Sequence, residues 1–333
     1  MTKMGKPLVS VTMITYGHEK FIEEAINGVL MQECNFCVEL IIVNDCSPDS
    51  TDDIIQNIIK KHPRGNWIKY ISHKKNIGMM PNFVFALNEA KSKYIALCEG
   101  DDYWTDSLKL QKQVDFLCKN EDYGLIYTNA NIFNQMENKF TGTFSFINNE
   151  APKSGDFFPS ILLKNYVQTL TVLVKNEYLI AAIQTIGDSI NEFNMGDYPL
   201  WIEISRITKF KYLDEVMAVY RVTPNSASSY SNLEKRYDFL QSTFDMQFYF
   251  CKKYSLFEIY EKIQTNYSGF LCNKVFDLNI KYIDKNILNS FKPVSIRDRI
   301  IKLSLSFRWV YKISKVLLKL NSLLKKNVNI IKI

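Results

Sequence analysis

Residues 8–59 read LVSVTMITYGHEKFIEEAINGVLMQECNFCVELIIVNDCSPDSTDDIIQNII, and the spacing of their apolar positions switches three times. Residues 8–14 form a short run rich in β-branched side chains that ends at Tyr16-Gly17, which predicts a strand. Phe21, Ile22, Ala25, Ile26, Val29 and Leu30 then recur at steps of one and three, one stripe of an amphipathic helix over residues 18–32. A second strand is predicted over residues 38–43. Ser50 opens a second helix as its N-cap, with Asp53 three residues on and Ile54, Ile55, Ile58 and Ile59 as the apolar stripe. Strand, helix, strand, helix predicts a parallel sheet covered on both faces, because parallel neighbours need a crossover and the crossover helix packs on the sheet.

The alternation continues through residues 67–71, 94–98 and 125–127 as strands, with a helix after Pro81 that carries Phe83, Val84, Leu87 and Ala90. Residues 130–165 turn polar and rich in Asn and Phe, which reads as a loop or hairpin region. Residues 168–175 predict another strand, 198–208 a helix and 210–220 a last strand. After Ser229 the chain reads as almost wholly helical, and no internal repeat is present.

The chain has 333 residues, 47% hydrophobic and 14% aromatic, enough for a substantial core and incompatible with disorder throughout. Its 41 Lys+Arg against 35 Asp+Glu leave a net charge of +6, too modest to argue for a nucleic-acid partner. That mean hides an uneven distribution. Residues 292–333 carry +10, so residues 1–291 carry −4. Seven cysteines form no framework, and their odd number, with no leader, predicts reduced thiols in a cytosolic protein. Cys34 and Cys37 lack the further ligands a zinc site needs. The N-terminus reads as a first strand, not a signal peptide, and no apolar run reaches the length of a membrane span.

Ligands of open α/β sheets bind beyond the carboxyl ends of the strands. After the first strand come Thr15, Tyr16, Gly17, His18 and Glu19; Tyr16 offers a stacking ring, and Glu19 is either a ligand contact or first-turn decoration. After the second, Asp45 is either an acceptor for a nucleobase N–H or a turn residue. After the fourth come Glu99, Gly100, Asp101 and Asp102. Three carboxylates in four positions at the end of a buried strand repel one another and lose solvation, so a positive charge is expected among them. Mg²⁺ or Mn²⁺ suits such oxygen ligands; the alternative is a helix cap by Asp102 or Asp106. No GxxxxGK[ST] and no GxGxxG is present, so a diphosphate would depend on a metal as counter-charge.

The segments VSVTMITYGHEKFIEEAINGVL, LIIVNDCSPDSTDDII and NIGMMPNFVFALNEAKSKYIALCEGDDYW together resemble the family 2 glycosyltransferases of GT-A fold, over about residues 7–225. The resemblance implies an α/β architecture: a Rossmann-like, mixed but mainly parallel sheet with helices on both faces, followed by a helical C-terminal extension. It implies a catalytic domain over residues 1–228, with a donor half to residue 130 and an acceptor half beyond, and a helical region over 229–333. It further implies a nucleotide-sugar donor, UDP-linked, a divalent Mn²⁺ or Mg²⁺, and inversion at the anomeric carbon. By position, Thr15, Tyr16, Glu19 and Asp45 match base and ribose contacts, and Asn76, Gly78 and Asn82 a donor-binding loop and helix. Glu99-Gly100-Asp101 stands where the family has its DxD motif, with Asp101 and Glu99 as metal ligands and Glu99 in place of the commoner Asp.

Met195-Gly196-Asp197-Tyr198-Pro199-Leu200-Trp201 is similar to the family's ED motif, whose Asp is the catalytic base. Here Gly196 replaces the Glu and Asp197 is the one carboxylate for the role; without the resemblance it reads as a helix cap. An acceptor hydroxyl is a poor nucleophile until a positioned carboxylate takes its proton. Arg221 is expected either to pair with the donor diphosphate or to form a surface salt bridge. The QxxRW motif of processive members is absent, so one sugar per encounter is expected.

Within residues 292–333, Trp309, Ile313, Val316, Leu317, Leu320, Leu323 and Leu324 share one helical face, with Arg308, Lys312, Lys315 and Lys319 on its flank. This predicts either a helix lying on an anionic membrane surface or a terminal helix docked on the domain. The expectation is a cytoplasmic enzyme peripheral to the inner face of the cell membrane, acting on a glycan or lipid-linked glycan acceptor. Rivals are a sugar-1-phosphate nucleotidyltransferase, which would carry a basic Gly-rich loop after the first strand, and a non-catalytic carbohydrate-binding protein.

Overall fold

The computed structural model describes residues 6–147, 154–223, 232–280 and 283–307. The chain divides into two compact units, Met1–Ser229 and Tyr230–Ile333. The first opens β1 (Val9–Thr15), α1 (Ile22–Leu30), β2 (Val38–Asn44), α2 (Thr51–Lys61), β3 (Ile68–Ser72), α3 (Met79–Glu89), β4 (Tyr94–Leu97) and β5 (Tyr103–Trp104). It continues α4 (Lys109–Lys119), β6 (Tyr123–Asn134), β7 (Lys139–Thr143), α5 (Phe144–Ile147), β8 (Leu173–Lys175), α6 (Asn176–Ile186), α7 (Asp197–Ser205) and β9 (Lys209–Val222).

The nine strands form one sheet in the order β3-β2-β1-β4-β8-β6-β9-β5, with β7 paired to β6. From β3 to β4 all neighbours are parallel. The run predicted at residues 125–127 does not extend that parallel set. β8 lies between β4 and β6 and is antiparallel to both. The fold is therefore the mixed, mainly parallel sheet expected.

Alternation along β1 decides which face each side chain meets. Val9, Val11 and Met13 join a core with Ile22, Ile26 and Val29 of α1, Ile55 of α2 and Leu110 and Val114 of α4. On the other face, Thr12 and Ile14 meet Leu97 and Phe83, the latter from α3. Burying each such side chain contributes about 1.5–3 kcal/mol, and a one-residue slip in β1 would exchange Val9, Val11 and Met13 for Ser10, Thr12 and Ile14, two of the three polar.

Several boundaries differ from expectation. Helix α1 starts at Ile22, not residue 18, because residues 17–19 give their amide groups to the next loop. The strand predicted over residues 168–175 is cut to Leu173–Lys175, and Thr169–Thr171 forms a 3₁₀ turn. The strand predicted at residues 125–127 runs on to Asn134, into the polar stretch, and pairs there with β7 (Lys139–Thr143) as a hairpin.

In the second unit, α8 (Leu233–Lys253) and α9 (Phe257–Asp277) pair antiparallel: Tyr237 meets Phe270, Phe244 meets Tyr267 and Phe248 meets Tyr260, with ring centroids 5.0–5.6 Å apart. α10 (Lys285–Ser290) and α11 (Ile296–Ser306) follow, and Ile301 shares a small core with Cys272, Phe276 and Phe291. Ser295 and Asp298 form a capping box that fixes the start of α11. The amphipathic stripe expected from Trp309 to Leu324 lies outside the described residues.

Candidate active site

The carboxyl ends of β1, β2 and β4 lie side by side, so their following loops share one edge of the sheet. The first two are clasped together. Gly17 N donates to Ser47 Oγ at 3.0 Å, His18 N to Thr51 Oγ1 at 3.0 Å, and Glu19 N to Asp49 Oδ2 at 3.0 Å. Ser50 N donates back to Glu19 Oε2 at 3.2 Å. Burial works against the Asp49 anion, but hydrogen bonds from Thr51 and the Glu19 amide outweigh it and hold this carboxyl below its usual range. Asp49, not Ser50, therefore caps α2: its Oδ1 accepts from Thr51 N at 3.1 Å, and Ser50 makes no side-chain cap. Thr15 is buried and contacts His18 Nδ1 through Oγ1 at 3.1 Å, whereas Tyr16 is 48% exposed, a free ring at the rim.

Asp45 is almost sealed, and both its oxygens hold the loop that precedes α3. Oδ1 accepts from Ile77 N at 2.7 Å and Oδ2 from Gly78 N at 3.0 Å; Asn76 Oδ1 also accepts from Gly78 N. Gly78 sits at φ +94°, a conformation that favours glycine. Asn82 is buried in α3, donates to Val43 O at 3.3 Å and contacts His73 Nε2 at 3.1 Å through Oδ1. The structure thus brings Asp45, Asn76, Gly78 and Asn82 together, and their visible work is to fix the loop. His73, just past β3, belongs to the cluster and was not singled out in the sequence; its position beyond a strand end was the signal.

The acidic end of β4 is packed tightly against β1. Gly100 N donates to Ile14 O at 3.0 Å, and a Cβ there would lie 2.8 Å from both His18 Nδ1 and Thr15 Oγ1. Only glycine lets the acidic loop approach so closely. Glu99 Oε2 has no solvent access and no hydrogen-bond partner. Burial, then the charges of Asp101 and Asp197, push the Glu99 acid up to about 8. Asp102, 3% exposed, is also pushed upward by burial and by Asp101 and Glu99. Asp106 Oδ1 accepts from Leu108 N at 2.8 Å, leading into α4, whereas Asp102 faces Arg221.

These residues fit a divalent cation. A buried carboxyl oxygen without a hydrogen-bond partner beside a second carboxylate leaves room for a cation, to which Asp101 with Glu99 would give two oxygen ligands. No ready group of three His, Cys, Asp or Glu side chains stands among the described residues. A site built from one or two carboxylates is completed by phosphate oxygens and water.

Arg221, from β9, is not at the surface as one alternative had it. It is 6% exposed, and its guanidinium lies against the rings of Phe21, Tyr103 and Phe133 at 4.8, 5.0 and 5.9 Å. Nε donates to Asp101 O at 2.8 Å, Nη1 to Gln135 Oε1 at 3.0 Å, and Nη2 pairs with Glu24. Its backbone N donates to Asp102 Oδ1 at 2.7 Å. The fork expected to meet a diphosphate is turned onto the loop that carries Asp101.

Asp197 is the first residue of α7, where the helix dipole favours an anion. Its Oδ2 accepts from Thr169 Oγ1 at 2.6 Å, and its charge is felt at Glu99. Gly196 has an ordinary helical backbone, φ −98°, so conformational freedom is not why it is glycine. A Cβ there would lie 2.5 Å from Met80 Cε and 2.9 Å from Phe83 Cδ1. Side chains of α3 fill the space a glutamate would need, which accounts for the departure from the ED pattern.

Residues 10–175 match the family model described as Glycosyl transferase family 2. The putative teichuronic acid biosynthesis glycosyltransferase TuaG of Bacillus subtilis (strain 168) is 30% identical over 225 residues, 67% of this chain and 82% of TuaG. An uncharacterized Mycobacterium tuberculosis protein (strain ATCC 25618 / H37Rv) is 32% identical over 224 residues, 64% of this chain; the match spans 58% of that protein's length. Among solved structures, Staphylococcus aureus TarS 1–349 in complex with UDP-GlcNAc superposes with a TM-score of 0.57 at 16% identity, covering 88% of this chain and 81% of that one. At that identity the likeness shows the fold, a GT-A glycosyltransferase fold. From the family match and the relationship to TuaG, the chain belongs to glycosyl transferase family 2.

Proposed function

We propose that this protein transfers one sugar from a UDP-linked nucleotide sugar to a hydroxyl of a glycan or lipid-linked glycan acceptor, with inversion, in the synthesis of a cell-surface polysaccharide. The observation that carries the reading is the pairing of Asp197, held at the head of α7 by Thr169, with the undercompensated carboxylates at the end of β4, close enough for the Asp197 charge to act on Glu99. TuaG supports the polysaccharide context by its name, and the TarS complexes with UDP-GlcNAc and UDP support the donor class.

In this reading Tyr16 and Thr15 border the base, Asp45, Asn76 and Asn82 keep the donor loop in shape, and Glu19 ties the loop after β1 to the loop after β2. Asp101 and Glu99 would hold Mn²⁺ or Mg²⁺, which would neutralise the charge of the leaving diphosphate. Arg221 holds the Asp101 backbone instead of touching the donor. Asp197 takes the proton of the acceptor hydroxyl as its oxygen bonds to the anomeric carbon and the bond from that carbon to the diphosphate oxygen breaks. One base opposite one leaving group gives inversion without a covalent intermediate.

The second unit supports a peripheral membrane location at the cytoplasmic face. No helix among the described residues is long and apolar enough to cross a bilayer. Val294, Ile296, Leu303 and Phe307 are 91, 77, 51 and 52% exposed and lead into the basic segment read from the sequence. Full-length protein should sediment with anionic but not neutral vesicles, and Ile296→Glu with Leu303→Glu should release it.

The deciding experiment is a thermal-shift screen of UDP-sugars with Mn²⁺, followed by product analysis. Release of UDP from the UDP-sugar supports glycosyl transfer; release of pyrophosphate from UTP and a sugar 1-phosphate, supplied in a parallel assay, would establish the nucleotidyltransferase instead. Asp197→Asn should abolish transfer and keep donor binding, and retained turnover would refute its role as base.

A further inference from the structure

Residues 168–172 are apolar and β-branched enough to continue β8, yet they turn. Thr171 N donates to Gln168 O at 2.9 Å and Val172 N to Thr169 O at 3.1 Å. The turn's outward carbonyls are taken by buried side chains instead of a strand ladder: Trp104 Nε1 donates to Leu170 O at 2.8 Å, and Gln113 Nε2 to Thr171 O at 2.8 Å. Gln113 is itself fixed, because Lys109 Nζ donates to Gln113 Oε1 at 2.9 Å while lying 4.1 Å from the centre of the Trp104 ring. Trp104, Lys109 and Gln113 are all at most 2% exposed.

Trp104 and Gln113 belong to β5 and α4, the two elements that follow the acidic end of β4. The turn is therefore anchored to the scaffold that carries Glu99 and Asp101. At its near end Thr169 aims its hydroxyl at Asp197 Oδ2, 2.6 Å away.

We propose that Thr169 is a positioning residue for the acceptor base: its hydroxyl fixes Oδ2 of Asp197 and leaves Oδ1 to take the acceptor proton, and the Trp104–Gln113 clamp sets where that hydroxyl stands. The inference rests on the reading of Asp197 as base. An ionised carboxylate only accepts hydrogen bonds, so the Thr169 hydroxyl is the donor of this bond and occupies Oδ2. Pinning one oxygen also restricts rotation of the carboxylate. The misplacement this prevents is of the kind that costs rate without costing substrate affinity.

The test uses the full chain with Mn²⁺ and the UDP-sugar selected by thermal shift, following UDP release with water as acceptor. Thr169→Val keeps the branched shape and removes the hydroxyl; it should lower kcat about 10–100-fold with the donor KM within about twofold. Thr169→Ser should restore kcat to within about threefold. A Thr169→Val enzyme with kcat within about twofold of the parent overturns the proposal if Asp197→Asn is inactive in the same assay, since the base is then right and the positioning wrong. An active Asp197→Asn overturns the base itself. A second measurement needs no turnover: in a double-mutant cycle of Thr169→Val with Asp197→Ala, the Tm losses should fall short of additive, whereas additive losses also overturn the proposal.

Discussion

Arg221 Nε donates to the backbone carbonyl of Asp101 at 2.8 Å, a bond that joins β9 to the acidic loop across 120 positions of sequence. Removing the guanidinium leaves that carbonyl without its partner and opens the space between Phe21, Tyr103 and Phe133. Arg221→Ala should cost about 2–4 kcal/mol of stability in urea unfolding and weaken Mn²⁺-dependent UDP binding. Glu24, whose side chain is 53% exposed, should matter little: Glu24→Gln should cost under about 1 kcal/mol. Equal losses in the two variants would show that the ion pair, not the contact with Asp101, is what counts.

Gly196→Ala should act through sterics alone, because its backbone is one that any residue adopts. The added methyl meets Met80 and Phe83 of α3 and must push either those side chains or the head of α7 that carries Asp197. Overpacking of this kind costs about 1–3 kcal/mol. Met80 is the flexible partner, so adding Met80→Ala should recover most of the lost Tm and turnover. Failure of the double variant to recover either would mean that the Phe83 ring or the backbone sets the limit.

The sheet was legible in the sequence where burial alone dictates the pattern. β1 is buried almost throughout, which is why it reads as a short run rich in β-branched residues, and the stripe of α1 recurs because only one of its faces is covered. What was not legible depends on partners far along the chain. β5 has two residues and exists because Tyr103 and Trp104 pair with Val219 and Ala218. The turn at Thr169 carries the composition of a strand and is bent by Trp104 and Gln113. Asp45 reads as a base contact or a turn residue and Arg221 as a diphosphate partner or a surface salt bridge, and their bonds to Ile77, Gly78 and Asp101 are long-range and leave no local trace.

Metal removal should silence transfer without unfolding the protein. Asp101 and Glu99 are the oxygen ligands on offer, and the sheet and helices that carry them are held by their own core, not by the cation. Excess EDTA should abolish UDP release and lower the Tm by no more than the loss of metal-dependent ligand binding explains, with Mn²⁺ restoring activity. Asp101→Asn should not be rescued by Mn²⁺. Full turnover of Asp101→Ala in EDTA would end the metal assignment.

Lys109 makes stability depend on pH in a direction that can be worked out. Burial lowers its ammonium from 10.5 to about 7, against the pull of Cys98 and Asp106. Between those values the unfolded chain holds the proton and the folded chain does not, so the Lys109 contribution to stability rises with pH across that window and is least favourable below about 7. Lys109→Met removes this dependence and leaves Gln113 Oε1 without its donor, a cost of about 1–3 kcal/mol that does not vary with pH. The difference in unfolding free energy, variant minus wild type, should therefore be most favourable to the variant at pH 6.5 and fall by up to about 1.4 kcal/mol per pH unit between pH 7 and 10. Urea unfolding of both proteins at pH 6.5, 8 and 9.5 measures it. A difference that stays flat with pH would mean that the ammonium keeps its proton in the folded state, held by the Trp104 ring and Gln113 more strongly than burial opposes it.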